Sequence, residues 1–131
     1  MPILVAWSPR VLSVLRIIVG LLFIEHGLMK MFQFPGPQPG VPSPLPALLM
    51  AAAWIEMISG GLVTLGLFTR IAALICSGEM AVAYFMFHYP QSFWPGLNMG
   101  AEAILYCFVF LYFAFAGPGE WSIDAQVRKS V

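Results

Sequence analysis

An all-α polytopic membrane protein, an antiparallel bundle of four transmembrane helices forming one domain over residues 1–131, is predicted by three features of the sequence. Only 9 % of the 131 residues are charged, where a soluble domain carries about 25 %. Hydrophobic residues make up 60 %, and the mean hydropathy is +0.87. The apolar residues also fall into four long stretches divided by Pro, Gly and polar turns. A crossing helix needs about 20 residues, so four of them use roughly 80 and leave no length for a soluble domain.

Proline sets the expected boundaries. Pro35, Pro37, Pro39, Pro42, Pro44 and Pro46 crowd one segment, and Pro2, Pro9, Pro90, Pro95 and Pro118 stand apart. Because Pro removes a helical hydrogen bond and clashes with the preceding turn, the intervals it leaves free are read as helices over about 11–33, 46–68, 71–88 and 98–116. The runs are too long for buried strands, and an open sheet cannot satisfy its edges in lipid. Gly66-Leu67-Phe68-Thr69-Arg70 is so tight a link that the second and third helices must be antiparallel neighbours. Segment 34–46 reads as an extended loop, and 89–97 carries the aromatics of an interfacial loop. Gly117-Pro118-Gly119 stops the last helix and opens a polar tail, 117–131, expected in the cytoplasm.

The run from Val11 is longer than a signal-peptide core and is followed by no small-x-small cleavage site, so it reads as a retained anchor. Arg10, Arg16, Arg70, Arg128 and Lys129 belong to one side and Lys30 to the other. The positive-inside rule then puts both termini in the cytoplasm of a bacterial inner-membrane protein. Zero net charge and scattered basic residues remove the electrostatic footprint of a nucleic-acid binder. Cys76 and Cys107 lie within apolar runs without a CxxC or a Cys/His cluster, so neither a disulfide framework nor a zinc site is indicated.

Each helix carries one glutamate: Glu25, Glu56, Glu79 and Glu102. Ionisable groups in lipid are costly, face the bundle interior and mark functional positions. Glu25 lies six residues before Met31, about 9 Å deep. Glu102 is at similar or shallower depth, and Glu56 and Glu79 lie nearer the midplane. With His26, Lys30 and His88 also on the outer half, the polar groups converge on a pocket open to the periplasm. Glu25, His26, Glu56 and Glu102 are the candidate proton-exchanging groups. Lys30, Glu79, His88 and Tyr106 are the candidate ligand contacts.

Helical phase limits this picture. His26 and Lys30 are i,i+4 and share a face, whereas Glu25 is rotated by about 100° from His26. Glu56 has Ala52, Ala53, Ser59 and Gly60 beside it, small residues that allow close helix contact. Glu79 shares a stripe with Ala72, Cys76 and Ala83, and Glu102 with Asn98 and Tyr106. Each glutamate is equally readable as a hydrogen-bonded core residue or as half of an ion pair with Lys30. On the inner side, Arg16 lies about 8 Å into its helix and calls for a partner, with Asp124 or Glu120 of the tail as candidates. A di-metal carboxylate bundle would need Glu-x-x-His on two helices; that spacing is missing, so no metal is expected. A haem between His26 and His88 is permitted by depth alone.

Gly20…Glu25-His26-Gly27-x-x-Lys30, Glu56…Gly60-Gly61…Gly66…Thr69-Arg70, Glu102 and Gly117-Pro118-Gly119-Glu120-Trp121-Ser122-Ile123-Asp124, in this order and spacing, resemble the DoxX family over nearly the whole chain. The resemblance implies a four-helix protein of prokaryotic cytoplasmic membranes. It also implies kinship with subunits of thiosulfate:quinone oxidoreductase and with proteins of membrane redox complexes. The residues add their own limits. Lys30 and the histidines make a weak site for a dianion, and no flavin, nicotinamide or iron–sulfur motif is present. Quinone as ligand fits better, because an apolar bundle with convergent Glu and His offers hydrogen bonds and proton exchange.

The leading expectation is therefore a small membrane subunit that binds a quinone or similar apolar ligand and serves a redox partner in the membrane or periplasm. The alternatives are a non-catalytic docking subunit of a larger assembly and a carrier of a small apolar solute. Catalysis by the chain itself and the oligomeric state, a homo-oligomer included, stay open.

Overall fold

The computed structural model describes residues 1–129, and within them the regular structure is helical. Helix α1 spans Pro2–Phe32, α2 Ala47–Leu65 and α3 Thr69–Ala83, the last continuing as a π-helical turn over Tyr84–His88. A single-turn helix α4, Pro95–Asn98, precedes α5, Ala101–Ala116, and α6, Ile123–Lys129, lies in the tail. Three segments, Pro2–Phe32, Ala47–Leu65 and Thr69–His88, are long and apolar enough to cross a membrane. With 16 residues, α5 is about 24 Å long, short of the roughly 30 Å hydrocarbon core.

These boundaries correct the sequence expectation in three places. The first helix begins at Pro2 rather than near residue 11, and Pro9 lies inside it. Pro9 has no N–H to give the Val5 carbonyl one turn earlier, and the helix runs on through it; its own carbonyl accepts from Ser13 Oγ at 3.0 Å and from the Glu120 N–H at 3.2 Å, which docks the tail there. The fourth run is broken before Ala101. Asn98 is fully buried, bonding Ser92 O, Tyr84 Oη and the Gly100 N–H, and Met99 takes a left-handed φ of 58° that no helix continues through. The tail contains a helix of its own. Positions 130 and 131, the end of the expected tail, lie outside the described residues.

The molecule is apolar outside as well as inside. Ile18, Leu21, Ile58, Ile71, Leu74, Phe108 and Phe115 are all exposed, the pattern of helices solvated by lipid. The interior is held by close backbone approach and aromatic packing. A Cβ on Gly27 would sit 2.7 Å from Met57 Cγ and 2.8 Å from the Ala53 carbonyl oxygen, and one on Gly20 would overlap Thr64. Small residues thus let α1 and α2 meet, which is how helices associate where water supplies no drive. Between α3 and α5, Ala72, Ala73 and Cys76 pack with Phe110 and Phe113, and Ser77 Oγ donates to the Cys107 carbonyl at 2.8 Å.

The tail folds back onto α1 and onto the turn between α2 and α3. Gly119 lies so near Pro9 O and Ser13 that no Cβ fits, and Glu120 pairs with Arg10 at 3.0 Å. The expected Arg16–Asp124 ion pair does not form. Arg16, 1 % exposed, donates instead to main-chain carbonyls of Pro118, Trp121 (2.8 Å) and Thr64 (3.4 Å). Asp124 is turned to the start of α3, where it accepts from the backbone N–H groups of Phe68 (3.0 Å) and Thr69 (2.9 Å) and from Thr69 Oγ1 (2.8 Å). Unsatisfied carbonyls in the turn after α5 and unsatisfied N–H groups at the start of α3 thus separate the two charges.

Candidate functional site

The polar residues form two pairs on different flanks of α1. On the α2 side, Lys30 Nζ lies 2.7 and 2.8 Å from the two carboxylate oxygens of Glu56, and the side chains are 8 % and 2 % exposed. Gly27, one turn earlier on α1, makes this possible: its missing side chain lets α2 approach until Glu56 Cβ is 3.2 Å from where a Cβ would stand. On the α5 side, His26 Nε2 meets Glu102 Oε1 at 3.0 Å. His26 Nδ1 is 2.9 Å from the Leu22 carbonyl, which can only accept, so Nδ1 donates there and leaves Nε2 turned to Glu102.

The single outer-half pocket expected from the sequence is therefore divided. Residues i and i+4 are offset by about 40° around a helix, enough for His26 to lean to α5 and Lys30 to α2. Glu25 stands on an exposed part of α1, outside both pairs, and makes no ion pair among the described residues. Tyr106 packs in an aromatic column with Phe23, Phe110 and the edge of His26, on the His26 side. His88 is remote from both in its contacts: Nδ1 faces the Asn98 carbonyl at 2.9 Å and its ring stacks on Tyr84, so it closes the 89–97 loop.

Glu79 joins the buried pair. Its carboxyl on α3 lies against that of Glu56 and feels the Lys30 charge, while its Oε2 is buried without a hydrogen-bond partner. Glu79 also borders a groove of about 350 Å³ between α2 and α3, otherwise lined by apolar groups that include Leu48, Ala52, Ile55, Ile75, Val82 and Met86. Gly78 borders the same groove, and a Cβ there would meet nothing within 4 Å. Lys30, at the other end of the chain Glu79–Glu56–Lys30, lines a second cavity, a cup of about 310 Å³ roofed by the proline-rich segment. Gln38 lines the cup as well, with Oε1 buried and unpartnered. Both cavities went unseen in the sequence; the signal available was the row of small residues Ala51, Ala52, Gly78 and Ala83 around Glu79.

The arrangement can hold and relay a proton and can hydrogen-bond a lipophilic ligand. Among the described residues no group of three His, Cys, Asp or Glu side chains is placed to hold a metal ion.

In the tail, Asp124 is a group whose titration is moved. Burial raises its pKa, but the hydrogen bonds from Thr69 and Phe68, with the nearby Arg128 charge, outweigh this and hold the carboxyl below its ordinary range.

Comparison with known proteins agrees with this architecture. A protein of Haemophilus influenzae described as uncharacterized is 42 % identical over 130 residues, covering 94 % of this chain and 95 % of its own. Two proteins of Escherichia coli K12 are also similar. The inner membrane protein YqjF is 32 % identical, covering 88 % of this chain and 91 % of its own; the inner membrane protein YphA is 31 % identical, covering 92 % and 93 %. No solved structure matches the chain at a significant level. The DoxX family profile matches residues 11–89, a span that contains Lys30, Glu56 and Glu79 together with the whole α2–α3 groove. A membrane protein with spanning helices, it belongs to the DoxX family.

Proposed function

We propose that the chain is a small subunit of the bacterial inner membrane that binds a quinone or similar lipid-soluble, hydrogen-bonding ligand and serves a quinone-linked oxidoreductase complex. The observation that carries this reading is the α2–α3 groove, apolar throughout except for Glu79, whose Oε2 has no partner of its own. A ring hydroxyl placed there donates to the unpartnered oxygen, and a ring carbonyl accepts from it when that oxygen carries a proton, while the ring and tail occupy the apolar lining. Of the candidate ligand contacts this reading keeps Glu79, and it gives no part to His26 and Glu102 on the other flank of α1. Thiosulfate fits less well, because the Lys30 ammonium that faces the cup is already neutralised by both oxygens of Glu56.

In this reading α5 is a fourth crossing, completed at its ends by α4 and the Gly117 turn, and the four helices form an antiparallel bundle with cytoplasmic termini. Support comes from Arg10, Arg16 and Glu120 meeting at the tail, with Arg70 bound to the last carbonyls of α5, at the end of α1 opposite Lys30. Inner-membrane location is carried over from YqjF and YphA.

Binding of decylubiquinone to the detergent-solubilised protein, followed by tryptophan quenching, tests the proposal. Gly78→Leu, at a position where a Cβ meets nothing within 4 Å, places a side chain in the groove and should raise Kd at least about tenfold, ~1.4 kcal/mol. Equal binding by both proteins would remove the groove as the site. A docking subunit is the second reading, favoured by Glu25, exposed on α1 and in no ion pair among the described residues, which a basic residue of a partner would satisfy. It predicts that Glu25→Gln releases a co-purifying polypeptide while quinone binding is unchanged.

A further inference from the structure

We propose that Glu79, Glu56 and Lys30 form a proton path from the α2–α3 groove to the cup beneath the proline-rich segment, so that a weakly acidic, lipid-soluble ligand in the groove exchanges its proton with the outer aqueous side. The inference rests on the groove as a ligand site and adds a direction to it. Three observations support the path. Its two ends line two different cavities, Glu79 the apolar groove and Lys30 the cup. Its middle is closed to solvent: Glu56 is 1 % exposed and is bound through both oxygens by Lys30. The groove end has an acceptor to spare, since Oε2 of Glu79 is buried without a partner.

The step balances with no electron transfer. The ligand's O–H gives its proton to the Glu79 carboxylate and remains as the conjugate base. Glu79 passes the proton to the adjoining Glu56 carboxylate, whose neutralisation loosens its hold on the Lys30 ammonium. Lys30 releases a proton to water in the cup, and the resulting amine takes the proton from Glu56, which restores the ion pair. One proton has moved from groove to cup and each side chain is as it began.

The groups that act on Glu79 include Glu56 from α2 and Lys30 from α1, and Glu79 in turn acts on the Cys76 thiol of its own helix. The Cys107 thiol of α5 meets Ser77, which lies about 200° around α3 from Glu79 and so faces away from it. The chain of carboxylates to the cup is thus the continuous polar exit from Glu79.

Dicyclohexylcarbodiimide, a lipid-soluble reagent, tests this directly. A protonated carboxyl adds across its C=N bond, oxygen to carbon and hydrogen to nitrogen with nothing leaving, and rearranges to a stable acylurea that peptide mass spectrometry locates. In right-side-out membrane vesicles with the internal pH clamped, labelling is expected at Glu79 and should fall by up to about tenfold per unit rise in outer pH once the carboxyl ionises. Glu79→Gln should abolish that label. Glu56→Gln combined with Lys30→Met removes both buried charges together, so that neither is orphaned. It should leave Glu79 labelled but deaf to outer pH. Labelling that follows the inner pH, or that keeps its outer-pH dependence in the double variant, would overturn the path while leaving the groove intact. Absence of label at Glu79 would overturn the groove and the path together.

Discussion

Lys30 and Glu56 form a two-pronged ion pair, 2.7 and 2.8 Å, sealed between α1 and α2. Removing one partner leaves the other charged group buried and uncompensated, which typically costs 3–5 kcal/mol, whereas replacing both by apolar groups is far milder. Lys30→Met should therefore lower Tm in detergent markedly and Glu56→Gln less so. The double variant should recover a large part of the loss, and thermal melts of the four proteins in one cycle measure the coupling.

The tail is pinned by Arg16 through carbonyls and by Asp124 through N–H groups, two separate attachments. Arg16→Met and Asp124→Ala should each destabilise, and since the Asp124 charge acts on Arg16 without a contact between them, their coupling should be small beside either single effect. A direct Arg16–Asp124 ion pair would instead make the second substitution almost free once the first is made. Differential scanning fluorimetry on the two single variants and the double variant distinguishes the cases.

Asp124 also gives a pH dependence whose sign follows from its lowered pKa. A carboxyl lowered on folding contributes its full stabilisation above its unfolded value and loses it as the pH falls through the folded value. Docking of α6 onto the start of α3 should thus be unaffected by titration at neutral pH and weaken below the ordinary value of 3.8. Limited proteolysis of the tail across an acid series should show the onset there. Asp124→Asn should be more susceptible than wild type at neutral pH, and the two should converge in acid.

Gly27 and Gly61 make a matched pair of probes. Gly27→Ala places a methyl group 2.8 Å from the Ala53 carbonyl oxygen, and Gly61→Ala places one where nothing lies within 4 Å. The first should cost about 1–3 kcal/mol by forcing α1 from α2. The second should be neutral or stabilising by up to about 1 kcal/mol from helix propensity alone. The ordering of the two melting temperatures is the check.

Membrane orientation is tested by single cysteines at Ser43 and Gln126, both exposed, in a variant lacking Cys76 and Cys107. An impermeant maleimide should reach position 43 from the periplasm and position 126 only after the membrane is opened. Reaction of both from the same side would refute the topology.

Hydropathy and the placement of Pro and Gly are properties of the chain alone, and they were enough to read an all-helical membrane protein, the centres of its long helices and the residues whose burial had to be explained. Where helix ends depended on tertiary partners the reading was off. The helix runs through Pro9, on whose carbonyl the tail docks, and α5 starts late because the buried Asn98 side chain closes the loop before it.

The site was legible as a set of residue types and not as an arrangement. Helical periodicity relates residues along one helix, but the flank to which a long side chain leans is set by the helices beside it, which is why His26 and Lys30 part company. Arg16 carried a visible need for a partner, yet every residue owns a carbonyl, so only the folded chain could select Pro118, Trp121 and Thr64 over the carboxylate of Asp124. The α2–α3 groove and the cup are likewise spaces between elements. A void has no residue of its own in the sequence, and its place is decided when the helices settle at the distance their small residues allow.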